Sequence, residues 1–232
     1  DLYLYSRAQG TVFGAEKEFL ARPAWTTLEC VFAAAKAFLA GENRENVTVL
    51  SLFDNEETGS LTRQGADSPF LSEVLERISL SCGKSREEHL RAIASGFMLS
   101  ADNAHAVHPD SPEKSDPTNR CYLNGGVVVK HSPRYASDAL TAGLFQRICQ
   151  KAGVPVQVYY NNSRIPGGGT LGNLSGSHVR HCPTVDIGLP QLSMHSPYET
   201  AGAKDLEYMV QAMEAFYQTV LTVTGQDAYE IS

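Results

Sequence analysis

Two adjacent glutamates, Glu56 and Glu57, come shortly after residues 47–53, a run of strand-forming residues. A buried strand that ends in acids and a glycine delivers polar groups to its carboxyl end. Neighbouring carboxylates repel each other, and a cation or a shared proton relieves that repulsion. Taken alone, such a pair is more often a solvated acidic turn than a functional site. Its meaning therefore depends on the other strand ends.

Two further predicted strands also end in side chains that could bind a metal. Asp102 and His105 follow residues 97–100, and His195 follows residues 184–187. Singly, an aspartate after a strand is typical of a helix cap or turn, and a histidine in a loop is typical of a polar surface group. Ligand sites in α/β folds lie beyond the carboxyl ends of the strands. We therefore expect these side chains to converge.

Carboxylate, carboxylate and imidazole at converging strand ends are the ligand mix of a hydrolytic zinc site. A glutamate beside a ligand then has a function of its own. If Glu57 is the ligand, we expect Glu56 to accept a proton from metal-bound water. The glycines of residues 167–169 lack the lysine and hydroxyl spacing of a phosphate loop, so they predict a tight backbone passage.

The elements that position these groups alternate between strands and helices. Predicted strands span residues 2–5, 47–53, 97–100, 125–130, 156–160 and 184–187. Predicted helices span residues 26–40, 68–80, 85–95, 137–151 and 204–222, with a short helix after Gly172, and residues 6–23 and 110–124 are predicted loops. We expect Thr26 or Thr27 to cap the first helix and Gly41 to end it. The pattern predicts an α/β fold with a mixed, mainly parallel sheet flanked by helices on both faces.

The composition is that of one globular domain: 232 residues, 42% hydrophobic and 19% charged. A net charge of −7 argues against nucleic acid or an anionic membrane as the main partner, and no apolar run is long enough to span a bilayer. Five scattered cysteines without CxxC spacing indicate reduced thiols. We therefore predict a cytoplasmic protein.

Four blocks of residues carry a resemblance to the aspartyl aminopeptidase family of dinuclear zinc exopeptidases, which remove acidic N-terminal residues. The blocks are Asp54-Asn-Glu-Glu-Thr-Gly-Ser60, Ser100-Ala-Asp-Asn-Ala-His-Ala-Val-His-Pro109, Gly126-Val-Val-Val-Lys130 with Arg134-Tyr-Ala136, and Asp186-Ile-Gly-Leu-Pro-Gln-Leu-Ser-Met-His-Ser196. They occur in the family's order and span most of the chain. The resemblance implies a three-layer zinc exopeptidase fold, two zinc ions per subunit and a homo-oligomer.

The resemblance also implies a role for each matching residue. Glu56 resembles the general base, while Glu57 and His195 resemble the ligands of one metal. Asp102 resembles a ligand of the other metal. His105 resembles the catalytic imidazole that contacts the substrate and stabilises the developing oxyanion.

Substrate binding is implied for a second set of residues. Lys130 matches the lysine that pairs with the acidic side chain of the substrate, and Gly168 and Gly169 belong to the loop that lines the pocket. The implied partner is a peptide with an acidic N-terminus. In the family a β-rich dimerisation domain accompanies the catalytic domain. We interpret residues 1–232 as a single catalytic domain and expect that second domain to be absent.

The chain departs from the family pattern at the metal site. Thr26 stands where the family's Arg-Leu-Asp motif places the aspartate that bridges both metals, and the upstream His-x-Asp motif does not occur. Catalytic zinc normally needs three protein ligands. The resemblance leaves two protein ligands, Glu57 and His195, for one metal and one ligand, Asp102, for the other. We therefore expect partial zinc occupancy and weak or absent peptidase activity.

Three functional interpretations follow. The first is an aspartyl-type aminopeptidase domain with compromised activity. The second is a non-catalytic relative that binds peptides or builds assemblies, which the replacement of the whole Arg-Leu-Asp signature favours. The third is a catalytic half that depends on a separate segment for its missing ligands.

Overall fold

The computed structural model describes residues 2, 4–165, 167–169, 171, 178–179, 181–225 and 228–232. The described helices are α1 (Leu28–Ala40), α2 (Phe70–Ser81), α3 (Arg86–Ala94), α4 (Ala139–Ala152) and α5 (Ala203–Gln218), and single 3₁₀ turns span Glu56–Thr58 and Pro112–Lys114. The described strands are β1 (Thr11–Phe13), β2 (Phe19–Arg22), β3 (Met98–Ala101), β4 (Ala104–His105), β5 (Val127–His131), β6 (Val156–Tyr160), β7 (Thr184–Gly188), β8 (Pro190–Leu192), β9 (Glu199–Gly202), β10 (Leu221–Gly225) and β11 (Ala228–Ile231).

A four-stranded sheet in the order β3-β7-β5-β6 forms the centre of the fold. The pairs β3–β7 and β5–β6 are parallel, and β5 pairs with β7 in the antiparallel sense. The mixed α/β class predicted from the sequence is therefore confirmed.

The main hydrophobic core lies between this sheet and three helices. Val127 and Val129 of β5 point towards buried residues of α1, α4 and α5, among them Phe145 and Met209. Side chains alternate across a strand, so Val128 faces the other side, where it packs with Ala104, Cys121 and Tyr159. Packing on both sides of β5 thus fixes the position of the sheet and of the loops that follow its strands.

A second sheet in the order β1-β2-β9-β8-β4 was not predicted. Strands β1 and β2 form a hairpin inside residues 6–23, which the glycines had indicated as a loop. The short β4 pairs with β8, and β8 in turn pairs with β9. This sheet brings His105, at the end of β4, close to the chain that leads to His195.

The prediction of a strand at residues 47–53 is wrong. Among the described residues, this segment makes no backbone–backbone hydrogen bond, and its Val49 carbonyl accepts a hydrogen bond from the Tyr217 hydroxyl at 3.2 Å. Val47, Val49 and Leu52 are exposed. A strand exists only when a neighbouring strand satisfies its backbone groups, so strand propensity alone does not produce one.

Helix α1 begins and ends as predicted, but its first turn is not capped as predicted. Thr27 precedes the helix with a φ of 65° and forms no side-chain cap. Its hydroxyl instead donates to Asp102 Oδ1 at 3.0 Å. The helix buries Cys30, Ala33 and Ala37, whereas Leu28, Phe32 and Leu39 on the opposite side are exposed.

The remaining differences lie at the ends of the chain. Residues 2, 4 and 5 form no strand, and Leu2 and Leu4 are exposed. Helix α5 ends at Gln218, earlier than predicted, because the following β-branched residues form β10, which pairs with β11. The predicted short helix after Gly172 lies outside the described residues.

None of the described helices is both long enough and apolar enough to span a membrane.

Candidate active site

Strands β3 and β7 bring two of the predicted site segments to one edge of the sheet. They are parallel, with Ala101 opposite Ile187, so Asp102 and the segment after Gly188 leave at the same end. Gly188 permits this close approach, because a Cβ at that position would lie 2.0 Å from the Asp102 carbonyl oxygen. Glycine is thus required where β7 passes Asp102.

Glu57 and His195 are in direct contact. His195 Nε2 lies 3.0 Å from Glu57 Oε2, and both side chains are more than half exposed. His195 holds a φ of 66° in the turn after β8. Glu57 lies in the 3₁₀ turn Glu56–Thr58, which Asn55 and Gly59 flank in left-handed conformations. The two loops therefore meet at this imidazole and carboxylate.

Glu56 is half-buried in the middle of the predicted site residues. Desolvation, followed by the nearby carboxylates of Asp102 and Glu57, raises the pKa of Glu56 to about 7. His195 and Lys130 act in the opposite direction. Glu56 therefore lies within electrostatic reach of these four side chains.

Lys130 is only 1% exposed and lies beneath Asp102. Its Nζ donates to the carbonyl oxygens of Asp102 at 2.9 Å and Asn103 at 3.2 Å, and lies 3.9 Å from Asp102 Oδ2. The ammonium also lies 5.5 Å from the centre of the Tyr135 ring. Lys130 thus holds the backbone of the Asp102 segment in place. An approaching substrate carboxylate would have to compete with these contacts.

His105, at the end of β4, is an exposed residue within electrostatic reach of His195, Lys130 and Asp102. Desolvation by the surrounding protein, together with the nearby His195 and Lys130, lowers the pKa of His105, while Asp102 opposes that effect. The imidazole is therefore neutral at pH 7 and can donate one hydrogen bond.

Thr26 lies in a hydrogen-bond network centred on Glu199, which is 2% exposed. The Glu199 carboxylate accepts hydrogen bonds from the Trp25 amide, the Thr26 amide (2.8 Å), the Thr26 hydroxyl and the His195 amide (2.8 Å). Burial raises the pKa of Glu199, but these hydrogen bonds outweigh it and leave the pKa below its ordinary value. An ionised carboxylate therefore links the start of α1 to the His195 turn.

A second buried network extends from this carboxylate into the core. Gln191 Nε2 donates to Thr26 Oγ1 at 3.1 Å, and Asn103 Nδ2 donates to Gln191 Oε1 at 2.9 Å. Glu29 lies next to Asn103, and within the described part of the chain its buried Oε1 has no hydrogen-bond partner. Desolvation and the nearby Asp205 raise the pKa of Glu29 to about 9. This glutamate is therefore neutral at pH 7.

Gly168 and Gly169 lie apart from these contacts. Among the described residues, nothing lies within 4 Å of a Cβ built on either of them. The adjacent Gly167 carbonyl accepts a hydrogen bond from Arg134 Nη1 at 2.9 Å.

The donor set does not fit a complete zinc centre. Within the described part of the chain, no group of three or more His, Cys, Asp or Glu side chains is close enough to hold a metal ion. Glu57 and His195 supply two ligands in contact, and the hydroxyl of Thr26 is engaged with Glu199. Catalytic zinc normally takes three protein ligands.

Sequence reasoning missed Glu199, Asn103, Gln191 and Glu29. One signal was available, because Glu199 follows His195 by only four residues. Carboxylates that support ligands are part of most metal sites. Nothing in the local sequence indicates that Glu29 is neutral, because its neighbour Asp205 lies in a distant helix.

The sequence of this chain is similar to sequences of known proteins. The family profile "Aminopeptidase I zinc metalloprotease (M18)" matches residues 1–217. "Probable M18 family aminopeptidase 2" of Clostridium acetobutylicum is 43% identical over 219 residues, which are 94% of this chain and 50% of that protein. The chain thus spans about half the length of the curated relatives it matches.

This chain is also similar to solved structures. A structure of the complex of Ape4 and Nbr1 matches with a TM-score of 0.84 and 32% identity, over 92% of this chain and 42% of that chain. The S. cerevesiae mApe1 dodecamer matches with a TM-score of 0.78 and 30% identity, over 92% of this chain and 49% of that one.

Proposed function

Because the chain belongs to the aminopeptidase I zinc metalloprotease (M18) family, we propose that it forms catalytic machinery that releases acidic N-terminal residues from peptides. The observation that carries this proposal is the contact between Glu57 and His195, with Glu56 beside it. Since the matched relatives are about twice as long, the activity of the whole protein is part of the proposal.

The chain's own residues divide the chemistry between them. Glu56 accepts the proton of the attacking water, and the neutral ring of His105 donates a hydrogen bond to the carbonyl oxygen as negative charge develops there. Glu57, His195 and Asp102 are the side chains that would hold zinc. The two-ligand arrangement supports partial zinc occupancy and slow turnover by this chain alone.

Acidic specificity is proposed for Lys130, with Gly168 and Gly169 lining the pocket. The buried ammonium is the cation nearest to Asp102, and exchanging one of its carbonyl partners would free a donor for a substrate carboxylate. We further propose a cytoplasmic homo-oligomer of single catalytic domains, which the dodecamer of the mApe1 relative supports.

A non-catalytic role in peptide binding or assembly is the second candidate. Two observations favour it: the Lys130 donors are engaged by backbone carbonyls, and the Thr26 hydroxyl is engaged by Glu199. Such a protein would bind a peptide and leave it intact.

Release of a chromogenic amine from Asp, Glu and Leu amides, with zinc in excess, tests the proposal. We expect slow release from the Asp and Glu amides only, and its loss in Glu56→Gln. Glu73→Gln, an exposed position on α2, is the matched control. Equal rates on the Leu amide would refute acidic specificity, and release unaffected by Glu56→Gln would refute its role as base. Turnover near a typical enzyme rate of about 10 s⁻¹ would refute the weak centre.

A further inference from the structure

A groove lies beside the His195 turn, next to the side chains that would hold zinc. Residues 4–10, residues 22–24 and the pair Ser196 and Pro197 form its walls, and its volume is about 530 Å³. We call this space the Arg22 groove. Pockets of this size hold molecules as large as a drug, and a short peptide is of that size.

Specific contacts join the groove to the candidate metal site. The Tyr198 hydroxyl donates to the Gln9 carbonyl at 2.8 Å and so ties the wall of residues 4–10 to the turn. On the other wall, Arg22 of β2 lies directly opposite Glu199 of β9. Glu199 in turn accepts a hydrogen bond from the His195 amide at 2.8 Å. The groove and the metal-type ligand His195 therefore share one turn.

Arg22 is the one charged side chain among the described residues that line the groove. It is exposed, and its guanidinium carbon lies 5.2 Å from the centre of the Trp25 ring. Its Nε donates to the Pro23 carbonyl at 3.1 Å, and within the described ranges its two terminal nitrogens have no acceptor. A planar guanidinium with available N–H groups is suited to bind a carboxylate through two parallel hydrogen bonds.

The carboxylate of Glu199 does not neutralise this cation. It is 2% exposed and accepts its hydrogen bonds from Trp25, Thr26 and His195. Among the described residues, no ion pair joins it to Arg22, although the two residues are paired on neighbouring strands. The guanidinium is therefore available to a ligand that enters the groove.

The position of the groove selects a peptide as its occupant. A substrate whose peptide bond lies at Glu57 and His195 has its following residues next to the His195 turn. A short peptide ends in a carboxylate, which is the group that the Arg22 guanidinium fits. Lys130, the cation proposed for the acidic N-terminal side chain, lies on β5 of the other sheet. The two ends of a short substrate thus have separate cations.

We propose that the Arg22 groove binds the part of the substrate beyond the cleaved bond and that Arg22 pairs with its C-terminal carboxylate. The substrate class is then short peptides with a free carboxyl end, and not the N-termini of long chains. The direction of the peptide along the groove rests on the proposed function. Binding of the carboxylate does not require turnover, so it is tested separately.

Trp25 is the only tryptophan of the chain and lies against Arg22, so its fluorescence reports on the groove. The chain is titrated with the tripeptide Asp-Ala-Ala and with its C-terminal amide, in the presence of a chelator so that neither peptide is cleaved. We expect the free acid to bind about tenfold more tightly than the amide, because only the acid offers Arg22 a charged acceptor. Leu-Ala-Ala and its amide should show the same ratio, since Arg22 pairs with the other end of the peptide.

Variants at position 22 assign the ratio to this side chain. Arg22→Gln removes the charge and should bring the ratio of the two affinities to about one. Arg22→Lys keeps the charge without the planar fork, so it should retain part of the preference for the acid. Arg91→Gln, at an exposed position of α3, is the matched control and should keep the full ratio.

Three results would overturn the proposal. They are equal affinities for acid and amide in the wild type, an unchanged ratio in Arg22→Gln, and fluorescence that none of the four peptides alters. The first and third need no variant, so they do not depend on how a variant folds. A preference for the acid without cleavage of Asp and Glu amides would support the groove and refute the peptidase. Cleavage without that preference would refute the groove alone.

Discussion

Thr26 and Glu199 form a hydrogen-bonded pair at the position where the sequence predicts a departure from the family's motif. The threonine hydroxyl completes the four hydrogen bonds that keep the buried Glu199 ionised. An aspartate at position 26 would instead place a second carboxylate beside Glu199, a repulsion that a bound cation relieves. The side chain at position 26 therefore decides whether this corner of the site is held by hydrogen bonds or by a metal.

Glu29 is the residue whose charge state has the clearest effect on stability. Its pKa is about 9 in the folded protein and 4.5 ordinarily, so folding takes up a proton between these values. Its contribution to stability is fully present below about pH 4.5 and is lost as the pH rises towards 9. Glu29→Gln keeps the neutral shape and removes the titration. As the pH rises from about 7 to about 8.5, the unfolding free energy of the variant should fall by about 1.4 kcal/mol less per pH unit than that of the wild type.

Urea unfolding at a series of pH values measures this difference. Glu207→Gln, at an exposed position on α5, is the control. If the wild type and Glu29→Gln lose stability with the same slope, Glu29 is ionised in the fold and the buried network has been misassigned.

At the scale of elements, the start of α1 is anchored by a distant strand. Glu199 opens β9, yet its carboxylate binds the amides of Trp25 and Thr26 just before the helix and the amide of His195. A negative charge near the first turn of a helix is also favoured by the helix dipole. This anchor explains why Thr27 is free to donate to Asp102 and does not cap the helix.

Glu199→Ala should therefore lower the free energy of unfolding by about 3 kcal/mol, because buried amide donors lose a charged acceptor. Glu207→Ala, on the exposed side of α5, should change it by less than about 0.5 kcal/mol. Denaturant unfolding followed by circular dichroism provides both values. A Glu199→Ala chain as stable as the wild type would show that water replaces the carboxylate and that the anchor is dispensable.

The elements that the sequence predicted correctly are those with strong local patterns. Strand β6 and helix α1 begin and end close to the predicted residues, because β-branched alternation, helical spacing and a terminal glycine are local signals. Residues 47–53 had an equally strong local pattern and form no strand, because pairing depends on a partner that the segment itself does not contain. The opposite error occurred at residues 6–23, which were predicted as a loop but contain the strands β1 and β2. Strand β2 pairs with β9, which lies far along the chain.

The candidate site shows the same division. The side chains at the ends of β3 and β7 could be predicted to meet, because parallel neighbouring strands end at one edge of a sheet. The burial of Lys130 and the neutral state of Glu29 depend on residues remote in sequence, and the spacing of the motifs contains no information about them.

At the scale of the whole molecule, the candidate site and the exposed apolar side chains are both described by the same few elements. Glu57 and His195 are two ligand-type side chains in contact, whereas a catalytic zinc normally takes three, and helix α1 and residues 47–53 expose apolar side chains. The family membership accounts for the fold, and the chain spans about half the length of the relatives it matches.

Zinc per chain, measured by elemental analysis after incubation with excess zinc and thorough desalting, tests the proposed partial zinc occupancy most directly. We expect a fraction of one zinc ion per wild-type chain. Thr26→Asp adds a carboxylate as a third ligand beside Glu57 and His195. This variant should raise the zinc content to about one ion per chain, while Thr26→Asn should not. Two firmly held zinc ions in the wild-type chain would contradict the account, because they would show that other residues complete the centre.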